Sequence, residues 1–346
     1  MLTVGRPPTA IHIVSLRDFG GGVTLRRNNH RALQKDVQPA DEAATVPVMF
    51  APVVTKDPSA VAAEVQATYR ELFPEGDPMF VPRAFAWTTE CFTGKHPDYQ
   101  AIDARYHDLE HTMQGTLCFA RLLHSRSHAQ AKPQIVQRLF ELGLLAILFH
   151  DTGYLKRRDD LSGTGAKYTV THVNRSAEFA ARLLGEKGFS QGDIEAIQNM
   201  IRCTGVDAAL KGIPFHDDPE KIVGHALGTA DLLGQMAADD YVDKLPVLYS
   251  EFAEAAEFSK EKAHFIALFT SSYDLLKRTP TFWESYVRLK LERDFGGLYR
   301  FLNSPYPDGP NPYLNRIEEN MERIRAQLSP NTTTFFPKRP SDVAQA

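Results

Sequence analysis

Apolar and polar positions alternate along this chain with a helical period almost throughout. A stripe carrying Val61, Val65, Tyr69 and Leu72 follows Asp57-Pro58, where an N-cap residue precedes a first-turn proline, and runs to Pro74. The same spacing predicts helices from Ala104 to about Arg126, Pro133 to Asp151, Thr171 to Lys187, Asp193 to Cys203 and Pro219 to about Ala238. From Lys244 to Leu291 the residues Leu245, Leu248, Phe252, Phe265, Phe269, Tyr273, Trp283 and Tyr286 recur at helical intervals, and a last helix is predicted from Pro312 to about Leu328. No strand pattern of comparable length interrupts them, so the expected fold is an all-α multi-helix bundle. Residues 1–55, with Gly20-Gly21-Gly22 and several prolines, read as an irregular leader, and residues 329–346 as a loose tail. Between them lie a helical segment over 56–103, a core over 104–240 and further helices over 241–328 that complete the bundle.

Composition narrows the function. The 346 residues are 43% hydrophobic and 24% charged, as in a globular protein able to build a sizeable core. The longest apolar run, Leu142 to Phe149, is far shorter than the ~20 residues that span a bilayer, and Met1 to Ala10 lacks a signal-peptide apolar region. A cytoplasmic location and no membrane partner are therefore expected. With 39 basic against 43 acidic side chains, the net charge of -4 does not favour nucleic acid. Cys91, Cys118 and Cys203 have neither disulfide-framework nor zinc-site spacing and read as reduced thiols.

The twelve histidines carry more information, because imidazole is both a metal ligand and a proton carrier near neutral pH. His107 and His111 lie four residues apart, which on a helix places both rings on one face. Roughly 0.4 such pairs are expected by chance, so the spacing alone decides little. His124 and His128 repeat it at the polar end of the same predicted helix and read as a solvated terminus. His150-Asp151 ends the apolar run, where a buried helix delivers an imidazole and a carboxylate into the interior. Burial makes that carboxylate costly without a cation. His216-Asp217 repeats the dipeptide in a turn. Asp231 sits among small and apolar residues that permit close helix approach, and His225 falls on another face of its helix as a core or supporting residue.

The ordered set His111, His150-Asp151 and Asp231 on successive helices resembles the HD superfamily of metal-dependent phosphohydrolases, over residues 104 to 240. The resemblance implies that these four residues ligate one divalent metal, with Asp151 bridging to a second. The first motif is also similar to the Tyr-His-Asn-x-x-His-Ala signature of cyclic-nucleotide phosphodiesterases, with Asp108 in place of the Asn and Thr112 in place of the Ala, which implies His107 as the acid that protonates the leaving oxygen. His172, at a predicted helix start, stands where several HD subfamilies carry a second-metal ligand; it could instead touch substrate phosphate or be a partly exposed helix-start residue. In the loop before it, Ser162 to Lys167 offers flexible amides and a cation, with Lys167 the weak substrate contact and a mobile lid or plain linker the alternative. Lys156-Arg157-Arg158, offset by Asp159-Asp160, reads as a solvated charge run.

The expected function is hydrolysis of a phosphate ester, a phosphodiester or nucleotide-type small phosphorylated substrate, by a metal-bound hydroxide, with His107 as acid and Asp151 at the catalytic metal. One or two ions of Mn, Fe, Co, Ni, Zn or Mg suit the ligands. Two other readings remain: a di-iron oxygenase of the same fold, for which His216 or His225 would have to supply an extra ligand, and a metal-stabilised binding or regulatory module without turnover.

Overall fold

Caps and prolines in the sequence set most helix starts in the computed structural model, which describes residues 50–205, 209–259 and 269–329. The Asp57 side chain caps α1 (Pro58–Leu72), which has its proline at the first turn. α2 (Phe80–Phe92) follows, and Asp108 caps α3 (Leu109–His128) by accepting from the His111 N–H. α4 (Gln137–Phe149) leads through a short turn, Thr152–Tyr154, and a second, Gly165–Tyr168, to α5 (His172–Glu186). A reciprocal Ser190–Asp193 capping box opens α6 (Gln191–Ile201), and Asp217 caps α7 (Asp218–Met236), so the His216-Asp217 turn is a helix cap. α8 (Tyr241–Phe258), α9 (Ser272–Phe282) and the Asn311-capped α10 (Pro312–Gln327) complete the set of α-helices among the described residues. α9 continues into two wider helical turns, Trp283–Val287 and Lys290–Asp294, and a tight one, Leu298–Leu302.

The architecture is an all-α multi-helix bundle. Among the described residues no β-strand forms, and a single isolated bridge pairs Tyr99 with Arg157. α4 is its axis: Phe140 to Phe149 are buried without interruption, as expected of a helix apolar all round, and α2, α3, α5, α6 and α7 pack around it. α3 packs most extensively on α7, and small residues let the two backbones meet. A Cβ at Gly234 would stand 2.8 Å from the backbone of Gln114 and Gly115. Cys91, Cys118 and Cys203 are buried and unpaired. No described helix is long and apolar enough to cross a membrane.

Two expectations need correction. The helix predicted from Ala104 begins only at Leu109, because Asp108 takes the His111 amide and ends the preceding extended segment. His107 is therefore not on α3, and it shares no helical face with His111. The helix expected from Pro133 begins only at Gln137, after an extended Val136, while the helical stretch from Lys244 to Leu291 resolves into α8, α9 and the wider turns, with residues 260–268, Phe265 among them, outside the described residues. The leader expected over 1–55 and the tail over 329–346 lie largely outside them too, at 1–49 and 330–346.

Candidate metal centre

Three helices deliver four side chains to one buried point. His111 stands in the first turn of α3, His150 closes α4 with Asp151 directly after it, and Asp231 projects from the middle of α7. Relative exposures are 3% for His111, 1% for His150, 1% for Asp151 and 8% for Asp231. His111 Nε2 lies 3.1 Å from Asp151 Oδ2 and 3.3 Å from Asp231 Oδ1. His150 Nε2 lies 3.3 Å from Asp151 Oδ2 and 3.4 Å from Asp231 Oδ1.

This donor set fits a metal ion. Two donors about 2.1 Å from one cation stand roughly 3.0–3.4 Å apart, the spacing found here. His150 Nε2 and Asp151 Oδ2 are fully buried without a hydrogen-bond partner despite their closeness, as are atoms whose lone pairs face a common point. The His150 Nδ1–H reaches the Ile147 carbonyl at 2.7 Å, which fixes the tautomer and leaves Nε2 as a lone pair. The buried His111, His150 and Asp231 group could thus hold a metal ion.

The electrostatics say the same. Burial alone would push the His111 imidazole down, yet the Asp151 and Asp231 carboxylates beside it raise it to about 10. His150 is likewise raised by the two carboxylates against its burial. Burial raises Asp151 and Asp231, and the imidazoles outweigh it and hold both carboxyls below their ordinary range. Two buried carboxylates thus draw positive charge, as protons or as a cation. Gln235, one turn beyond Asp231, donates to Asp231 Oδ1 at 3.3 Å and accepts from the Tyr106 hydroxyl at 2.9 Å, orienting the carboxylate.

His172 and His107 flank the centre. His172, the first residue of α5, has Nε2 3.8 Å from Asp151 Oδ1 and its Nδ1 on the Thr169 carbonyl at 2.6 Å. Burial, with the charge of His107, lowers its proton affinity against the pull of Asp151, which suits a neutral ligand. α5 is seated on the backbone after Asp151. Gly153 N–H donates to Ser176 Oγ at 2.8 Å, Arg175 donates to the Gly153 and Leu155 carbonyls, and a Cβ on Gly153 would stand 2.0 Å from the His172 carbonyl oxygen. Tyr154 stacks on both imidazoles, 4.4 Å from His107 and 4.8 Å from His172, whose own centroids are 6.1 Å apart.

His107 Nδ1 is 2.6 Å from Glu251 Oε2, while Glu251 Oε1 accepts the Tyr106 N–H at 2.7 Å. Burial, the largest influence, raises the Glu251 carboxyl, and His107 and backbone N–H groups more than offset it, so it stays ionised. Glu251 was not legible as a site residue. It lies on α8, outside the 104–240 segment, one acid among several; its only trace is a place four residues before buried Ala255, on the inner face.

The loop from Ser162 to Lys167 is no phosphate cradle. Lys167 Nζ binds Asp160 and the Ser162 carbonyl, so the expected substrate contact is already neutralised. The Thr164 amide is held by Glu254 and the Gly165 amide by Asp103, so neither is free to cradle a phosphate. Lys156 is buried, paired with Asp103 at 2.9 Å and bound to the Gly163 carbonyl, and Arg158 binds the carbonyls of Gly94, His96 and Pro97. Lys156 and Arg158 thus staple the loop, while Arg157, 57% exposed and 4.0 Å from an exposed Asp159, is solvated as expected.

This chain matches no protein-family model and no curated protein.

Proposed function

We propose that this protein is a metal-dependent phosphohydrolase of the HD type, acting in the cytoplasm on a small phosphate ester. The observation that carries this reading is the convergence of His111, His150, Asp151 and Asp231 on one buried point, with His107 held beside it by Glu251. Nitrogen and carboxylate donors suit Mn, Fe, Co, Ni or Zn, with Mg at the oxygen-rich side. A divalent cation held by these residues would lower the pKa of water toward ~7 and neutralise charge on phosphoryl oxygens. Asp151 and His172, whose Oδ1 and Nε2 face each other at 3.8 Å, are the residues that would hold a second ion. Glu251 accepts the His107 Nδ1–H, and the imidazolium form of His107 would carry on Nε2 the proton for the departing oxygen. Tyr154, stacked on His107, keeps the ring from turning away and keeps water off that face.

Neither histidine that an oxygenase would need supports that alternative. His216 pairs with Glu220 at 2.5 Å and Glu195 at 3.6 Å, and His225 sits against the rings of Phe215 and Phe295. The test is metal analysis of the purified chain followed by a turnover screen over phosphodiesters, nucleotides and phosphonates. Phosphate-ester hydrolysis lost on metal removal and restored on readdition is expected. Dioxygen-dependent substrate loss with iron, or tight binding without product, would overturn the reading.

A further inference from the structure

A second group of metal-type donors lies on the surface, at the far end of α3. Glu71 stands in the last turn of α1, and His124 and His128, one turn apart, close α3. His124 Nε2 is 3.0 Å from Glu71 Oε2, His128 Nε2 is 2.8 Å from Glu71 Oε1, and the two Nε2 atoms are 3.0 Å apart. Both imidazoles therefore turn the same nitrogen toward one carboxylate, with ring planes at 70°.

Protons cannot satisfy all sides of this triangle. If both Nε2 atoms carry hydrogen toward Glu71, their mutual approach sets donor against donor; if one lacks hydrogen, its lone pair faces a carboxylate oxygen. One cation in the middle accepts a lone pair from each group. We propose that Glu71, His124 and His128 form a second, solvent-accessible site for a divalent transition-metal ion of the Zn, Ni, Co or Cu class, independent of the buried centre.

Donors about 2.0–2.1 Å from a tetrahedral cation are roughly 3.3 Å apart, so this triangle is a few tenths of an ångström tight. Side chains 54% exposed at Glu71, 21% at His124 and 58% at His128 have room to open it. Their backbones are fixed: α1 buries Val61, Val65 and Tyr69 against the body, and Tyr69 donates to Glu141 at 2.6 Å. Two imidazoles and one carboxylate select borderline ions over Ca or Mg, and water fills the remaining coordination positions. An ion there clips the C-terminal ends of α1 and α3 together. His111 and His128 sit at opposite ends of α3, about 25 Å apart at 1.5 Å per residue, so the two sites load separately.

The test is equilibrium dialysis of the full-length chain against Zn²⁺ and Ni²⁺, beside His128→Ala and Glu71→Gln. The parent is expected to bind one equivalent more than His128→Ala, and Glu71→Gln to hold that equivalent at least ~10-fold more weakly. Broadening of α1 and α3 C-terminal resonances by Ni²⁺, absent in His128→Ala, locates the ion. Circular dichroism checks that the variants fold, and His124→Gln replaces His128→Ala if that variant does not. Equal stoichiometry and affinity in parent and variants would overturn the proposal, whatever the buried centre binds.

Discussion

Replacing Gly234 by alanine tests whether backbone proximity sets the ligand spacing. The new Cβ would meet the Gln114 carbonyl and the Gly115 nitrogen at 2.8 Å, and backbone atoms cannot rotate out of its way. Ordinary contact begins at 3.4 Å, so α7 has to withdraw from α3 by about 0.6 Å. Asp231 lies one turn before Gly234, and His111 one turn before Gly115, so the 3.3 Å approach between them widens by a similar amount. Metal sites tolerate about 0.2 Å in ligand distance. Overpacking costs about 1–3 kcal/mol, and replacing a helical glycine returns about 1 kcal/mol, which leaves roughly 0–2 kcal/mol of net destabilisation. Metal affinity should fall by ~10-fold or more. Gly115→Ala is the control: its Cβ meets Ile147 Cδ1 at 3.4 Å and Asp231 Cα at 3.8 Å, so it should fold at least as well as the parent and keep its metal. Urea unfolding and metal dialysis on both variants decide the matter. Equal metal affinity in the two would refute the claim that the α3–α7 contact holds the ligands in place.

Three further outcomes follow from the same structure. His107→Ala should keep its metal and hydrolyse esters of poor leaving groups ~10²–10⁴-fold more slowly; unchanged turnover would remove His107 from the chemistry. Lys167→Met should lose roughly 1–3 kcal/mol of stability through the Asp160 pair without raising KM, and a raised KM at unchanged stability would restore Lys167 as a substrate contact. Burial holds the His225 imidazole down at about 4, with Lys221 adding to the effect and Asp294 opposing it. Because an unfolded histidine titrates near 6.5, its contribution is complete above about pH 6.5 and is lost as pH falls through 4. That contribution is about 2 kcal/mol once partial exposure is allowed for. His225→Gln should therefore flatten the loss of stability over that range, as read by urea midpoints at successive pH values.

The helical class and several helix starts could be read from the chain because they depend on local signals: the Asp57-Pro58 cap and the Asp217 cap before Pro219 set α1 and α7, and the apolar run marked α4, though not where it begins. The convergence of His111, His150, Asp151 and Asp231 was likewise expected from ordered motifs. What escaped depends on contacts between distant residues. Asp108 looked like a helix residue and is a cap. Lys167 looked available, yet its partner Asp160 lies seven residues back in a loop whose shape is set by Asp103 and Glu254. Glu251 is brought to His107 across 144 positions of chain, and Tyr154 and Gln235 act through ring stacking and orientation that no spacing rule encodes.

The seating of α5 on Gly153 bears on any effort to move this centre into another scaffold. Grafting the histidines and aspartates alone would leave out the backbone surface that presents His172. A larger residue at 153 would drive the helix away from Asp151 while the other four side chains kept their places. The smallest portable unit is therefore the stretch from the end of α4 through the first turn of α5, together with the facing parts of α3 and α7, and a designer who shortens it should expect to lose the fifth side chain first.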